Sequence, residues 1–574
     1  MTTPHEDSAK WLATVFENSQ AMLRQLTALG TAGDAASEAA KHLDPFLAAS
    51  KQLVEMQQSY MKQMTEAWTG MWKLPGSATE PTTQPQEDRR FAAEAWTLDP
   101  RFDALKQMYL GYSSLMQKAV DAAPVDDKTR AQLQFATRQF SEAVSPTNFF
   151  ATNPEAMQLA AESGGKSVVD GMTLFVEDLA KGRISMTDES AFEIGKNIAA
   201  TEGAVVFENE LIQLIQYAPA GKEVYARPLL IVPPAINKFY ILDLQPDNSF
   251  VRYAVEAGHT VFLVSWRNIT ADLGHLTWDD YLQLGVMSAI DVARDITGAD
   301  RVNTLGFCVG GTLLASSLAV MAAKGEDYVS SLTLLTTMLD YTDAGEIGLL
   351  VSEQSVAARE QAIGRGGVLE GKELGFVFSS LRANDLIWQY VVNSYLKGKA
   401  PPAFDLLYWN SDGTNLPGPM FCWYVRNTYL ENNLREPGRT VMCDVPVDLS
   451  RIAVPAYIYA SRDDHIVPWN TAYASNGLLS GETTFVLGAS GHIAGVINPP
   501  QKNKRNYWMG GNRKGDADGW LASATSMPGS WWPDWSGWLA RHAGKRMPAR
   551  RKLGNKRYPV IEPAPGAYVK AKAG

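Results

Sequence analysis

The chain has 574 residues, of which 45% are hydrophobic and 20% are charged, and its formal net charge is −10. This length predicts two or more domains with a large buried core, and the negative charge argues against non-specific nucleic-acid binding. The three cysteines, Cys308, Cys422 and Cys443, favour a reducing compartment without a disulfide framework. The first residues do not have the basic and apolar regions of a signal peptide, so we expect a soluble, cytoplasmic protein without a membrane span.

The first 200 or so residues have the spacing of helices. Apolar side chains recur at helical intervals over residues 46–72 and again over about 91–181, and a linker rich in Pro, Thr and Gln covers residues 74–87. The Met and aromatic stripes are either ordinary helix-packing faces or docking surfaces for a partner or an apolar particle. We therefore predict a helical N-terminal domain over residues 1–200, with granule, partner or dimer contacts.

From about residue 201, short β-rich runs alternate with helix patterns. Such alternation predicts an α/β domain over residues 201–574, with a mostly parallel sheet and helices on both faces. The predicted strands cover residues 229–232, 261–265, 302–307, 332–336, 456–460 and 484–487, and a helix covers 279–296. The long stretch between the fourth and fifth strands is too long for a loop and rich in large apolar side chains, which predicts a lid inserted at about 341–450.

The sequence Gly306-Phe307-Cys308-Val309-Gly310-Gly311 connects a predicted strand to a predicted helix. Strand, Gly-x-Cys-x-Gly turn and helix form the layout of a nucleophile elbow, with cysteine in the usual place of serine. The uncharged window over residues 302–323 also raises the question of a membrane span, but its three glycines and polar residues favour a buried strand, elbow and helix. Cys308 is therefore the candidate nucleophile of an acyl-transfer enzyme.

An elbow nucleophile needs a histidine base and an acid, which follow it in the order acid, then histidine. His492 follows an apolar strand and has small neighbours, so it is the predicted base. Asp464 follows the preceding strand and is preferred over Asp463 as the orienting acid, although the sequence separates these two only weakly. His465 is the rival base, for which a structural or supporting role beside the site is the alternative. His542 lies in a basic tail.

The oxyanion formed in acyl transfer requires N–H donors. One candidate is the backbone amide of Val309, directly after the nucleophile. The other is an amide of the loop after strand 229–232, for which we predict Ile236, with Asn237 as the alternative. A cysteine keeps the bound acyl group as an activated thioester, which favours transfer from a thioester donor over hydrolysis without deciding between them.

The C-terminal region is strongly basic. Residues 541–574 contain ten Lys or Arg residues and one acid, Glu562. Such a tail is either a solvated segment or a contact with an anionic partner, an anionic surface or the chain's own acidic body.

These motifs together resemble the class I polyhydroxyalkanoate synthases. The resemblance lies in residues 306–311, 233–244, 265–268, 464–469 and 491–500, and in the N-terminal part in residues 88–91 and Trp96. It implies polymerisation of (R)-3-hydroxyacyl-CoA, mainly 3-hydroxybutyryl-CoA, with release of CoA. It also implies that Cys308 carries the growing chain, that His492 activates the thiol and the attacking hydroxyl, and that Asp464 either orients His492 or helps to activate the alcohol.

The resemblance further implies a homodimer, a lid over a buried tunnel, and association with polyester granules and granule-associated proteins in the cytoplasm. No metal or cofactor is expected, and CoA is only the leaving group of the substrate. Trp409 matches a family position near the dimer-forming part of the lid, and an ordinary place in the lid core is the alternative. A cysteine-dependent α/β-hydrolase, such as a polyester depolymerase or thioesterase, is the second hypothesis, and a non-catalytic granule-coating protein is the third.

Overall fold

The structure is a computed structural model that describes residues 88–512 and 515–573. The helical pattern over residues 46–72 and the predicted linker over 74–87 lie outside these residues. The chain divides into two compact units, Met1–Ser141 and Glu142–Gly574. The predicted domain boundary near residue 200 differs from this division, because residues 142–200 belong to the same compact unit as the sheet.

The described part of the first unit is helical. Its helices are α1 (Ala95–Leu98), α2 (Pro100–Asp121) and α3 (Asp127–Ala143). The ring of Phe91 packs 4.8 Å from that of Trp96 and 5.7 Å from that of Tyr109. The hydroxyl of Tyr109 donates to the carbonyl of Ser141 at 2.8 Å and so ties α2 to α3. A small aromatic core thus holds these helices together.

The second unit is organised around one large sheet. Its strands are β1 (Gly203–Glu208), β2 (Ile212–Tyr217), β3 (Leu229–Val232), β4 (Val261–Trp266), β5 (Val302–Phe307), β6 (Val329–Leu335), β7 (Ala456–Ser461), β8 (Thr483–Gly488), β9 (Asn506–Met509), β10 (Thr525–Pro528) and β11 (Glu562–Pro563). The strand order is β10-β9-β8-β7-β6-β5-β3-β4-β2-β1-β11. The central strands from β8 to β4 run parallel, and antiparallel strands extend both edges. These parallel strands are the six that the sequence predicted, which confirms the fold class.

Helices cover both faces of the sheet, which is why strands such as β3 and β5 are buried along their whole length. The helices are α4 (Pro154–Glu162), α5 (Lys166–Lys181), α6 (Phe250–Glu256), α7 (Trp278–Asp280), α8 (Ser288–Thr297), α9 (Val309–Ala323), α10 (Gly345–Leu349), α11 (Glu353–Ile363), α12 (Gly371–Leu381), α13 (Asp405–Asn410), α14 (Gly418–Val425), α15 (Trp469–Ala474), α16 (His492–Val496), α17 (Ala517–Ser523) and α18 (Trp532–His542). A π-helical stretch, Tyr281–Met287, joins α7 to α8 and completes the predicted helix. Across residues 88–512 and 515–573, no helix is both long and apolar enough to span a membrane.

The segment between β6 and β7 occupies the place of the predicted lid. These two strands are parallel neighbours, and residues 336–455 between them contain α10 to α14. Trp409, in α13, is only 5% exposed, and its Nε1 donates to the carbonyl of Lys238 at 2.7 Å. Trp409 therefore packs inside the unit, between the lid and the loop that follows β3.

The basic C-terminal segment lies along the body of the same unit. Arg557 pairs with Asp295 at 3.0 Å, and Lys572 pairs with Asp412 at 2.8 Å. Strand β11 pairs with β1 at the edge of the sheet. The tail thus makes the contact with the chain's own acidic residues that was one of the predicted alternatives.

Candidate active site

Cys308 lies in a sharp turn between β5 and α9. Its backbone has φ 52° and ψ −128°, a conformation that a non-glycine residue seldom adopts. The Cys308 N–H donates to the carbonyl of Leu335 at 2.9 Å, and its carbonyl accepts from the N–H of Gly311 at 2.8 Å. Hydrogen bonds on both sides of the residue therefore hold the turn, and the thiol stays partly accessible.

The three glycines of the motif are needed for close packing. A Cβ atom at Gly306 would overlap the backbone of Gly311, and one at Gly310 would overlap the carbonyl oxygens of Val232 and Pro233. A Cβ atom at Gly311 would overlap the side chain of Thr337. The start of α9 consequently packs directly against the end of β3 and the chain after β6.

The structure brings Asp464 and His492 together beside this turn. Oδ2 of Asp464 lies 2.6 Å from Nδ1 of His492. Oδ1 of Asp464 accepts from the N–H groups of Ile466 at 2.8 Å and Val467 at 2.9 Å. The Asp464 side chain is 0% exposed and that of His492 is 4% exposed. The bond fixes the imidazole and leaves its Nε2 available, and Cys308 lies close enough to raise the pKa of His492.

The electrostatics of the site favour a protonated imidazole. Burial lowers the pKa of His492, but the negative charges of Asp464 and Cys308 outweigh burial and raise this pKa to about 10. The ring of His492 also stacks on that of Phe307, with 5.7 Å between the ring centres. His492 can therefore take a proton from Cys308 and hold it beside the sulfur.

The alternative candidates for the base and the acid, His465, His542 and Asp463, lie in different surroundings. Burial lowers the pKa of His465 to about 4, so its ring is neutral at neutral pH, and within the described residues its Nδ1 has no hydrogen-bond partner. Asp463 is exposed, whereas its neighbour Asp464 is buried. The carbonyl of His542 accepts from Ser330 near the amino end of β6, whereas Cys308 lies at the carboxyl ends of the strands. Of these candidate acids and bases, all within the described residues, Asp464 and His492 are the pair that meets beside Cys308.

The two predicted oxyanion donors lie on elements that meet at the elbow. Val309 is the first residue of α9, and the first N–H groups of a helix have no acceptor within the helix. Ile236 lies in the loop after β3, and its carbonyl accepts from the N–H of Thr414 in the lid segment at 3.0 Å. The donor role of both amides stays a prediction.

A group of tyrosines that the sequence analysis missed lies next to the elbow. Burial raises the pKa values of Tyr341, Tyr424 and Tyr429, and the negative charge of Cys308 raises them further. The hydroxyls of Tyr341 and Tyr424 lie 3.1 Å apart. These residues are spread over the lid segment, so their spacing carries no helical or strand period that could have revealed the group.

A partly accessible cysteine, a buried imidazole and a buried carboxylate in this order can perform acyl transfer through a thioester. The imidazole exchanges a proton with the sulfur, and the carboxylate keeps the imidazole in one orientation. The amide at the start of α9 is in the position of an oxyanion donor in elbows of this type. Both transfer and hydrolysis are compatible with these three groups.

Comparisons with known proteins narrow the choice between acyl transfer and hydrolysis. A family model described as poly-beta-hydroxybutyrate polymerase (PhaC) N-terminus matches residues 87–254, and one described as alpha/beta hydrolase fold matches residues 228–499. The chain is similar to the poly(3-hydroxyalkanoate) polymerase subunit PhaC of Cupriavidus necator, with 54% identity over 92% of this chain and 89% of the relative. It is 42% identical to the subunit of the same name from Rhizobium meliloti, over 92% of this chain and 87% of the relative.

The chain also has similarity to solved structures. A monoacylglycerol lipase from Paleococcus ferrophilus has 14% sequence identity and a TM-score of 0.31, and the match covers 48% of this chain and 90% of the lipase.

Proposed function

Because the chain belongs to the poly(3-hydroxyalkanoate) polymerase family, we propose that it uses Cys308, His492 and Asp464 to polymerise (R)-3-hydroxyacyl groups taken from CoA thioesters. The enzyme is an acyltransferase. The observation that carries the proposed roles is the buried hydrogen bond between His492 and Asp464 beside the Cys308 turn. The main substrate in this proposal is (R)-3-hydroxybutyryl-CoA, CoA is the leaving group, and no cofactor takes part.

In the first step, the Cys308 thiolate attacks the thioester carbonyl of the substrate, whose oxygen becomes an oxyanion. The amide of Val309, with that of Ile236 as the second donor, stabilises this oxyanion. The carbon–sulfur bond to CoA then breaks, and the CoA sulfur takes the proton from Nε2 of His492. The products are an acyl thioester on Cys308 and free CoA. One thioester replaces another, so the exchange is nearly balanced in free energy.

In the second step, the hydroxyl of another hydroxyacyl group attacks the thioester carbonyl on Cys308 and gives its proton to Nε2 of His492. The bond to Cys308 breaks, an oxygen ester forms, and the sulfur leaves as a thiolate. Conversion of a thioester to an oxygen ester is downhill, which drives the chain forward. Each ester bond thus accompanies the release of one CoA.

Asp464 acts in both steps by orienting His492. Its two oxygens accept from Nδ1 of His492 and from the amides of Ile466 and Val467, and its side chain is fully buried. These bonds support an orienting role over direct contact with the attacking alcohol. His465 remains a supporting residue, because its low pKa keeps its ring uncharged next to the site.

The lid gives a physical reason for transfer over hydrolysis. Tyr341 is 4% exposed, and Tyr341, Tyr424 and Tyr429 of the lid segment lie close enough to Cys308 for its charge to act on them. Exclusion of water protects a thioester that would otherwise be hydrolysed. The second hypothesis, a cysteine-dependent hydrolase, uses the same three groups but needs water at this position.

Incubation of the purified enzyme with (R)-3-hydroxybutyryl-CoA tests the proposal. We expect release of CoA with formation of an insoluble polyester. Release of CoA with free 3-hydroxybutyrate in equal amount would support the hydrolase instead. Absence of CoA release, with no difference between the wild type and Cys308→Ala, would support a non-catalytic granule-coating protein.

We further propose that the enzyme works as a homodimer on polyester granules in the cytoplasm, together with granule-associated proteins. One face of α5 supports contact with an apolar surface, because it exposes a row of large apolar side chains at helical spacing. The row consists of Val168, Val169, Met172, Phe175, Val176 and Leu179. The double variant Val169→Asp, Leu179→Asp should bind polyester beads more weakly than wild type, and unchanged binding would exclude this row as the contact. Sedimentation equilibrium tests the dimer.

A further inference from the structure

The tyrosines beside the elbow form one packed aromatic group. The ring of Tyr429 lies 4.9 Å from that of Tyr341 and 5.8 Å from that of Tyr424, and both pairs meet edge to face. The rings of Tyr341 and Tyr424 are 6.3 Å apart, also edge to face. Each ring therefore contacts the other two, and none can turn without displacing its neighbours. We call these three residues the tyrosine wall.

Hydrogen bonds tie the wall to the nucleophile helix. The N–H of Thr312, in the first turn of α9, donates to the carbonyl of Cys308 at 3.3 Å. The hydroxyl of the same threonine lies 3.3 Å from that of Tyr341, which in turn lies 3.1 Å from that of Tyr424. The wall is thus fixed relative to Cys308, although its residues come from the lid segment.

Further aromatic rings stack on the Tyr424 side of the wall. Trp278 stacks on Tyr424 with 5.4 Å between the ring centres and an angle of 2° between the planes. Trp423 stacks on Trp278 at 4.8 Å. Trp278 is 1% exposed. Movement of the Tyr424 ring toward Trp278 would therefore displace this whole stack, which makes the wall resistant to displacement.

The chain on both sides of Tyr341 is also held. The N–H of Tyr341 donates to Oδ1 of Asn432 at 2.9 Å, and Asn432 in turn donates to Asp340 at 2.8 Å. Arg435 pairs with Asp340 at 3.0 Å. These bonds join the first and last parts of the lid segment next to the wall.

We infer that Tyr341, Tyr424 and Tyr429 limit the length of the alkyl branch on the hydroxyacyl group that Cys308 accepts. This inference rests on the proposed function, because it concerns the acyl group bound to Cys308. The acyl carbon is bonded to the sulfur, so its branch must fit between the elbow and the neighbouring rings. A wall of interlocked rings that also stacks on Trp278 resists displacement by extra methylene groups. Discrimination of roughly 10- to 200-fold for each methylene is typical of such apolar pockets.

The wild-type enzyme supplies the first test. We expect kcat/KM for (R)-3-hydroxybutyryl-CoA to exceed that for (R)-3-hydroxyhexanoyl-CoA by at least about tenfold. Equal values for the two substrates would overturn the inference while leaving the polymerase proposal intact. If the polymerase proposal itself were wrong, neither substrate would give polymer.

The variant Tyr429→Ala tests the residue itself, and Tyr429→Phe is its matched control. We expect the alanine variant to shift the ratio of the two kcat/KM values by about tenfold or more toward the longer substrate. The phenylalanine variant keeps the ring and should keep the wild-type ratio. Tyr429→Leu provides the same test with a smaller cavity if the alanine variant does not fold. An unchanged ratio in either folded variant would contradict the inference.

Discussion

Oδ2 of Asp464 lies 2.6 Å from Nδ1 of His492, and both side chains are buried at the carboxyl end of the sheet. The two residues follow the neighbouring parallel strands β7 and β8, whose pairing from Ala456 with Thr483 to Ser461 with Gly488 sets their separation. Cys308 follows β5 in the same direction. The sheet itself therefore brings together three residues that are far apart in the sequence.

The orienting role of Asp464 predicts a large effect of Asp464→Asn. An amide can donate toward Nδ1 and stabilise the wrong tautomer of His492, so we expect kcat to fall by about 10²- to 10⁴-fold. The matched control is Asp463→Asn, which changes an exposed neighbour and should keep activity near the wild-type value. Initial rates of CoA release measure both. Equal losses in the two variants would show that the loop as a whole, and not the carboxylate of Asp464, is required.

The assignment of the base predicts different effects for the two histidines. His492→Ala should reduce kcat by about 10³-fold or more, because the proton transfers lose their carrier. His465→Ala should have an effect below about tenfold, because burial lowers the pKa of His465 to about 4 and leaves its ring uncharged at neutral pH. A greater loss in His465→Ala than in His492→Ala would reverse the assignment.

Close packing at the elbow predicts that Gly311→Ala destabilises the enzyme. The new methyl group would overlap the side chain of Thr337, and such overpacking costs about 1–3 kcal/mol in the free energy of unfolding. Thr337→Ala removes the two nearest opposing atoms, Oγ1 and Cγ2, so the double variant should recover part of this loss relative to the two single variants. Urea denaturation measures the free energies. Strictly additive losses would mean that the two side chains do not compete for the same space.

The raised pKa of His492 predicts a pH dependence of stability. The pKa is about 10 in the folded enzyme and about 6.5 in an unfolded chain, so the folded state binds this proton more tightly. The stabilisation is complete below pH 6.5 and is lost as the pH rises toward 10. The difference in free energy of unfolding between wild type and His492→Gln should therefore shrink from pH 6.5 to pH 10, by about 1 kcal/mol or more. A difference that stays constant would contradict the proposed charge on His492.

The sequence predicted those features that depend on local patterns or on chain order. Apolar runs located all the parallel strands, and the glycines and strand order located Cys308, Asp464 and His492. The antiparallel strands β1, β2, β9, β10 and β11 were not predicted. Of these, β10 carries no apolar pattern, because all four of its residues are exposed. The tyrosine wall was missed because it forms only when distant parts of the lid segment pack together.

The domain boundary likewise depends on contacts between residues that are distant in the sequence. Helix α5 was assigned to an N-terminal domain because its composition matches the helical region before it. In the structure, a Cβ atom at Gly171 would overlap the carbonyl of Tyr395, and the hydroxyl of Tyr395 donates to Asp178 at 2.7 Å. These close contacts attach α5 to the lid segment, and no periodic pattern in the sequence encodes them.

The central claim is that Cys308 carries the growing polyester as a thioester. Brief incubation with (R)-3-hydroxybutyryl-CoA, acid quenching and peptide mass spectrometry test it most directly, with Cys443→Ala as the control and Cys308→Ala as the inactive variant. We predict one or more hydroxybutyryl units on the peptide that contains Cys308, in the wild type and in Cys443→Ala. Polymer formation by Cys308→Ala, or hydroxybutyryl units attached only to another residue, would contradict the account.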